Sequence, residues 1–262
     1  MPKRSSYQNP YESLLEKLAN ADMPREQFMK SLQRCRGFGC GDEELRLLHI
    51  MGAPLMCEGD LVALTTRTTP IAEQRFCFVD IETNGSDPSR SQVMEIGAVL
   101  YENGTIIDRF ESFVFCSQIP EDITELTGIA LDDVINAPTL AVVMEQFRHF
   151  LGTALFVAHN VEFDYGFLNA MLMRCNLGWL CNRKLCTIRL ARKTIPATHY
   201  NLGALNAQLG IGAPVLHRAY ADALTALRIF EHALAALPPN VCTAEELIAF
   251  SCGRFPDLFS KV

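Results

Sequence analysis

The stretch Phe76-Cys77-Phe78-Val79-Asp80-Ile81-Glu82-Thr83-Asn84-Gly85 decides the fold. Its apolar, strand-forming residues carry two carboxylates to the end of the run and then break into a polar Thr-Asn-Gly turn. Acids at the mouth of an apolar strand are costly unless something cationic pairs with them. In an extended chain, residues i and i+2 point to the same face at about 3.3 Å rise per residue. Asp80 and Glu82 therefore lean over one site and can share a divalent ion.

Downstream of this strand, Gln92 to Tyr101 reads as a second strand and Ile106 to Phe115 as a third, joined across Asn103-Gly104, a favoured pair for a two-residue hairpin. Glu95 is an odd acid within the apolar run Val93-Met94-Glu95-Ile96-Gly97-Ala98-Val99. It lies either beside the site or on an exposed strand face, the commoner explanation. The pattern then alternates between helix and strand. Ala137 to Leu151 is a helix, Ala154 to Ala158 a short buried strand, and Glu162 to Cys175 a helix with Phe163, Phe167, Leu168 and Leu172 apolar. Lys184 to Lys193 reads as a basic helix, Leu202 to Leu209 as another and Arg218 to Leu237 as a long one. Strands followed by helices imply an α/β fold with a mixed sheet and helices on its faces.

Residues 1–70 read as a separate small helical domain. Asn9-Pro10-Tyr11-Glu12 starts a helix that ends near Asn20; a second runs from Pro24 to the glycines at 37, 39 and 41, and a third from Asp42 to Met51. Ala53 to Met56 and Leu61 to Thr65 form a hairpin around Glu58-Gly59-Asp60. Three helices and a hairpin give the order of a winged-helix unit. A DNA-reading third helix would be basic; this one starts Asp42-Glu43-Glu44, which favours a protein-contact or packing appendage. The polar Thr65 to Gln74 stretch marks the boundary, the main domain spans 71–237, and 238–262 form a C-terminal helical tail. Within that tail, Thr243-Ala244-Glu245-Glu246 opens a short helix with a capping box, and Pro256-Asp257-Leu258-Phe259 faintly echoes sliding-clamp-binding peptides.

Composition bounds the function classes. At 49% hydrophobic and 20% charged residues over 262 positions, the chain is ordinary soluble globular material. No run reaches the roughly 18 apolar residues of a membrane span, and Met1-Pro2-Lys3-Arg4-Ser5-Ser6 leads into no apolar h-region. A cytoplasmic protein with no membrane partner is expected. The ten cysteines are scattered and are read as reduced thiols; Cys175, Cys181 and Cys186 group most tightly, but buried small hydrophobes suit them better than a zinc site. A net charge of −7 argues against coating nucleic acid by bulk electrostatics. Any polyanion contact is local, and Arg183, Lys184, Arg189, Arg192 and Lys193, a run without acids, are the local candidate; on their own they read as a solvated helix face.

Two further polar insertions sit at element junctions. His159-Asn160-Val161-Glu162-Phe163-Asp164 delivers Asp164 into the first turn of a helix, and His217-Arg218-Ala219-Tyr220-Ala221-Asp222 delivers Asp222 likewise. Taken singly, each acid is an ordinary partner of a helix dipole. In order, Asp-x-Glu-Thr-x-Gly, His-Asn-x-x-Phe-Asp and His-x-Ala-x-x-Asp resemble the DEDDh family of 3′→5′ exonucleases, nearest in likeness to its proofreading (epsilon) branch from bacterial DNA polymerase III. The resemblance covers about Arg75 to Leu237. It implies a ribonuclease-H-like α/β fold with a mixed five-stranded sheet and helices on both faces. It also implies removal of nucleoside monophosphates from the 3′ ends of single-stranded or frayed DNA, in proofreading or repair. RNA ends are the alternative, and a binding scaffold without catalysis a further one. The implied partners are single-stranded DNA, a polymerase III catalytic subunit and, more weakly, a sliding clamp.

Phosphodiester hydrolysis needs an activated water, neutralised phosphoryl charge and a stabilised leaving oxygen, which two divalent cations about 3.5–4 Å apart supply. The resemblance makes Asp80, Glu82, Asp164 and Asp222 the ligands of two such ions, magnesium or manganese, and His217 the general base. A tyrosine subgroup of the family has its base where Arg218 stands here, and Tyr220 is misplaced for that role. His159 is a weaker candidate for the base; with Asn160 it looks more like a strand- and loop-positioning pair. The substrate-holding residues implied are Ile81, Thr83 (through its backbone) and Asn84 beneath the terminal nucleotide. Phe163 offers a face for a base, the resemblance makes Leu126 in Leu126-Thr127-Gly128-Ile129 a wedge between the last two bases, and the basic run gains an expected role as a backbone contact through Arg189 and Arg192. His49, His149, His199 and His232 are read as surface or packing residues.

Overall fold

The computed structural model describes residues 9–36, 42–212 and 217–255. The N-terminal part consists of α1 (Glu12–Asn20), β1 (Met23–Pro24), α2 (Arg25–Arg36), α3 (Asp42–Ile50), β2 (Leu55–Glu58) and β3 (Leu61–Leu64). Three antiparallel strands follow, β4 (Phe76–Thr83), β5 (Val93–Glu102) and β6 (Thr105–Phe113), then α4 (Glu121–Thr127), α5 (Leu131–Val134) and α6 (Leu140–Leu151). The remainder alternates: β7 (Leu155–Ala158), α7 (Val161–Arg174), β8 (Lys184–Cys186), α8 (Thr187–Thr194), α9 (Leu202–Leu209), α10 (Ala219–Leu234) and α11 (Ala244–Ser251).

The main sheet has the order β6-β5-β4-β7-β8, with β7 parallel to both β4 and β8. It is the mixed five-stranded sheet with helices on both faces that the sequence led us to expect. Period-two alternation along β4 builds both cores. Cys77, Val79 and Ile81 face a cluster with Val143, Phe147, Leu168 and Leu172 from α6 and α7. Phe76 and Phe78 face the other, with Leu190, Leu227 and Leu247, and their ring centroids lie 4.9 and 5.1 Å from that of Phe230 on α10. Asp80 and Glu82 continue this second face, so one pleat holds α10 to the sheet and points two carboxylates beside it. The β5–β6 hairpin turns at Asn103 (φ 51°) and Gly104 (φ 75°), both left-handed as a type I′ turn requires.

Some boundaries differ from the sequence reading. Lys184 to Lys193 is not one helix: Lys184–Cys186 pairs with Phe156–Ala158 as the edge strand, and helix begins only at Thr187. Pairing to a buried neighbour here overrides the local pattern. Helix α6 starts at Leu140 rather than Ala137, because Pro138 disfavours helical geometry at the residue before it. Asn9 does not cap α1; its side chain accepts from Tyr11 N–H at 2.9 Å and donates to the Leu180 carbonyl. The capping box of α11 is present, with Glu246 accepting from Thr243 N–H at 2.9 Å. The glycines at 37, 39 and 41 and the Pro256-Asp257-Leu258-Phe259 segment lie outside the described residues.

The N-terminal strands form an antiparallel sheet of order β1-β3-β2. The core beneath it, including Leu14, Leu18, Phe28, Leu48 and Val62, is completed by Trp179 and Cys181 from the α7–β8 connection. Charges reinforce this seam. Arg183 is buried; it forks onto Glu245 of α11 at 2.7 and 2.9 Å and reaches Glu16 of α1 at 2.7 Å, while Thr66 donates to the same Glu245. Lys184 pairs with Glu12 and Glu162. The basic run is thus largely neutralised internally and is not a solvated helix face. Cys181 and Cys186 are buried thiols and Cys175 is half-buried. No helix among the described residues is long and apolar enough to cross a membrane.

Candidate active site

Three element ends converge at the C-terminal edge of β4. Strand β4 supplies Asp80 and Glu82, and a bulge between Glu82 and Thr83 re-aims the chain as it leaves the sheet. Parallel strand β7 ends at Ala158 on the same side; His159 and Asn160 follow, Asn160 at φ 84°, and the chain turns into α7 with Asp164 buried in its first turn. Asp164 accepts from the backbone N–H of Ile81, which ties α7 to the middle of β4. Helix α10 brings Asp222 in its own first turn, and Asp222 Oδ2 accepts from His217 N–H at 2.9 Å. His217 is held at φ 67° with its ring exposed. Ligand atoms of Glu82, His217 and Asp222 all lie within 4.8 Å of one another.

Burial and mutual repulsion dominate the electrostatics. Burial, then Asp164, Asp222, Glu82 and Glu95, push Asp80 well above the usual carboxylate range. Glu82 rises to about 7 through burial and the charges of Asp222 and Glu95, with Arg218 opposing. Asp164 rises to about 8, mainly by burial, against hydrogen bonds from its own N–H and that of Ile81. Asp222 is raised by burial despite the His217 N–H. Its Oδ1 atom is buried without a hydrogen-bond partner. Hard oxygen donors that repel one another, one of them orphaned, fit divalent cations of the magnesium and manganese type.

The structure sorts the other expected residues. Both nitrogens of His159 are engaged, Nδ1 with the Thr187 hydroxyl at 2.8 Å and Nε2 with the Tyr200 carbonyl at 2.9 Å, and burial lowers its pKa to about 4. That removes it as a base and makes it a brace for the turn into α7. The Ile81 side chain lies in the opposite core and its N–H serves Asp164, so neither of these faces a substrate. Asn84 accepts from Gln92 N–H at 2.7 Å and donates to the Gln118 carbonyl, so its side chain braces two loops. The Thr83 hydroxyl donates to the Gly85 carbonyl. Leu126 and Phe163 are exposed apolar side chains on α4 and α7, with Gly128 (φ 71°) ending α4 behind Leu126. Arg189 pairs with Glu162 at 2.7 Å, and Arg192 stands 5.7 Å over the Tyr200 ring. The histidines at 49, 149, 199 and 232 are exposed.

Sequence reasoning missed the role of β5. Glu95 is directly opposite Glu82 in register and is buried, not on an exposed face. Gly97, opposite Asp80, has α10 so close that an added Cβ would lie 2.0 Å from the Tyr220 nitrogen. A glycine inside a bulky strand run was the available signal of a close backbone approach.

The exonuclease family model, RNase_T, matches residues 77–230. The chain belongs to the exonuclease family. Its three motifs make it a DEDDh exonuclease, a phosphodiester hydrolase similar to the epsilon type. It is 34% identical over 157 residues to the DNA polymerase III subunit epsilon of Aquifex aeolicus, an overlap of 59% of this chain and 78% of that one. It is 33% identical over 181 residues to the PolC-type DNA polymerase III of Halalkalibacterium halodurans, covering 68% of this chain but only 13% of that relative. Among solved structures, exonuclease I matches with a TM-score of 0.57 at 16% identity, over 63% of this chain and 42% of that one. That level of likeness speaks for the fold alone. E. coli exonuclease I in complex with a dT13 oligonucleotide matches with a TM-score of 0.55 at 17% identity, over 62% of this chain and 41% of that one.

Proposed function

We propose that this exonuclease removes nucleoside monophosphates one at a time from the 3′ end of single-stranded or frayed DNA, in proofreading or repair. The observation that carries the reading is the convergence of Asp80, Glu82, Asp164 and Asp222 beside His217, with Asp222 Oδ1 buried and unpartnered. These four carboxylates would hold two divalent ions, magnesium or manganese, which when bound neutralise phosphoryl charge and help activate water. His217 takes the proton from the attacking water; its exposed ring beside the carboxylates leaves it free to do so. Leu126 and Phe163 orient the terminal bases, and Thr83 supports the last nucleotide through its backbone. Arg189 and Arg192 approach the phosphodiester backbone.

DNA is favoured over RNA by the likeness to a polymerase III epsilon subunit. We further assign residues 71–237 to the exonuclease domain, 1–70 to a winged-helix-like packing or protein-contact domain and 238–262 to a C-terminal tail. The setting is the cytoplasm, with a polymerase III catalytic subunit as partner; a sliding clamp is the lesser assignment. The test is purified full chain with end-labelled DNA and RNA oligonucleotides, with and without chelator, beside His217→Ala. Chelator-sensitive shortening of DNA from the 3′ end, lost in His217→Ala, is expected. Preferential RNA hydrolysis would reassign the substrate, and chelator-resistant activity would overturn the site.

A further inference from the structure

The turn that carries His217 into α10 is held from the β5 side by Glu95 and Gly97, neither of them among the four carboxylates. Glu95 on β5 is 1% exposed, and its carboxylate accepts from Arg218 and Ala219 at the start of α10. Arg218 Nε donates to Oε1 and Oε2 at 3.2 and 3.3 Å, Arg218 Nη2 to Oε1 at 2.9 Å, and the Ala219 N–H to Oε2 at 3.2 Å. The Arg218 guanidinium also stands 5.4 Å over the Phe113 ring of β6, so the fork is fixed on a second side. One residue earlier, His217 has a left-handed backbone that a side chain adopts only where surroundings impose it. Two residues along β5 from Glu95, Gly97 removes the side chain that would keep α10 off the sheet. Glu95, Gly97 and Arg218 thus fix the depth and rotation of the α10 N-terminus, and with it where His217 and Asp222 sit relative to Asp80 and Glu82.

We propose that Glu95 and Arg218 form a positioning clamp for the base His217 and the ligand Asp222. The proposal rests on the exonuclease reading above, and adds to it two residues that act through others rather than on substrate. Arg218 suits the task because its planar fork serves both carboxylate oxygens, which a lysine cannot. Misplacement of a reacting group by about 1 Å is enough to cost about 100-fold in rate.

The test compares wild type, Glu95→Gln, Arg218→Ala and the double variant as full chains. Rates are read on a labelled single-stranded DNA oligonucleotide with Mn²⁺, at a temperature where circular dichroism shows every variant folded. Mn²⁺ affinity is read separately by calorimetry without nucleic acid. In each single variant kcat is expected to fall about 10- to 100-fold with KM within about twofold, and the double variant to be no worse than the weaker single. Mn²⁺ affinity is expected to fall about 10-fold as Asp222 shifts. Arg218→Lys, which keeps charge but not the fork, is expected between wild type and Arg218→Ala, and it serves as the milder variant if Arg218→Ala does not fold. Unchanged kcat and Mn²⁺ affinity in a folded variant overturns the clamp. A raised KM at constant kcat also overturns it, by making Arg218 a nucleic-acid contact. If wild type binds Mn²⁺ but degrades neither DNA nor RNA, the exonuclease reading fails, and the calorimetry alone decides the clamp.

Discussion

Two centres in this protein bury several charges, and they are opposites. Around Arg183, burial opposes the guanidinium, but hydrogen bonds and charges from Glu245 and Glu16 outweigh it and hold the arginine above its ordinary value. Burial likewise raises Glu16, yet Arg183 and Arg254 bring it below the usual range. Arg183 and Glu16 both favour their charged forms. Around Asp80, the acids Asp80, Glu82, Asp164 and Asp222 are pushed toward their neutral forms by burial and by the charge of neighbouring carboxylates. The Arg183 centre is electrostatically complete and binds α1, β8 and α11 together. Among the described residues, the Asp80 centre has no cation of its own beside the four carboxylates that would offset their repulsion as Glu245 and Glu16 offset Arg183, and perturbed groups of that kind cluster at sites of chemistry.

Replacing one residue in each centre separates the two roles. Asp80→Asn should lower exonuclease activity by about a thousandfold or more, since a ligand and its charge are both lost. The same change should leave the metal-free protein as stable as wild type or more so, because it removes a repelled buried acid; steady-state rates and thermal melts in chelator measure the two effects. Arg183→Met should do the reverse. Leaving Glu245 and Glu16 without their partner is expected to cost about 3–5 kcal/mol, or roughly 10 °C in melting temperature. Its kcat, measured well below that temperature, should stay close to wild type. A large fall in kcat for Arg183→Met in the folded protein would show that the two centres are coupled.

The same contrast explains what the sequence could disclose. Asp80 and Glu82 were legible because their spacing alone puts them on one face, and the hairpin because Asn103-Gly104 is a local turn signal. Asp164 and Asp222 were legible through motif order and helix-start position. Strand β8 was hidden because three residues carry no period and their identity as a strand comes from β7. The sequence left Glu95 open between the site and an exposed face and read Arg183 as solvated, for one reason. Whether a charge is exposed or buried depends here on partners 123 and 62 residues away, which no local pattern encodes.

A metal-free pH series sharpens the comparison further. With Glu82 raised to about 7 and Asp164 to about 8, the folded protein retains protons between about pH 4 and 8 that the unfolded chain has released. Stability in chelator should therefore fall as pH rises through that window. Mg²⁺ or Mn²⁺ should abolish the decline, and Asp164→Asn should flatten it. The Arg183 centre predicts the opposite sign for Glu16, whose pKa is lowered: its contribution is lost on acidification. Thermal melts at successive pH values, with chelator and with Mn²⁺, check both. A chelated protein as stable at pH 8 as at pH 5 would mean that the carboxylate cluster is not under the strain described.

The smallest expected effect concerns the surface cations between the two centres. Glu162 bonds both Arg189 and Lys184, so the charge of Arg189 is already matched before any nucleic acid arrives. Arg192 has an aromatic ring rather than an acid beside it, and its charge remains available. If both approach the backbone, Arg192→Gln should weaken binding of a single-stranded oligonucleotide and reduce its log–log salt slope by about 0.7, the share of one phosphate contact. Arg189→Gln should change the slope less, because the freed Glu162 adds repulsion without removing an unpaired cation. Fluorescence anisotropy over a salt series reads both slopes. Equal losses would show that Arg189 leaves Glu162 on binding, and no change in either would remove α8 from the nucleic-acid path.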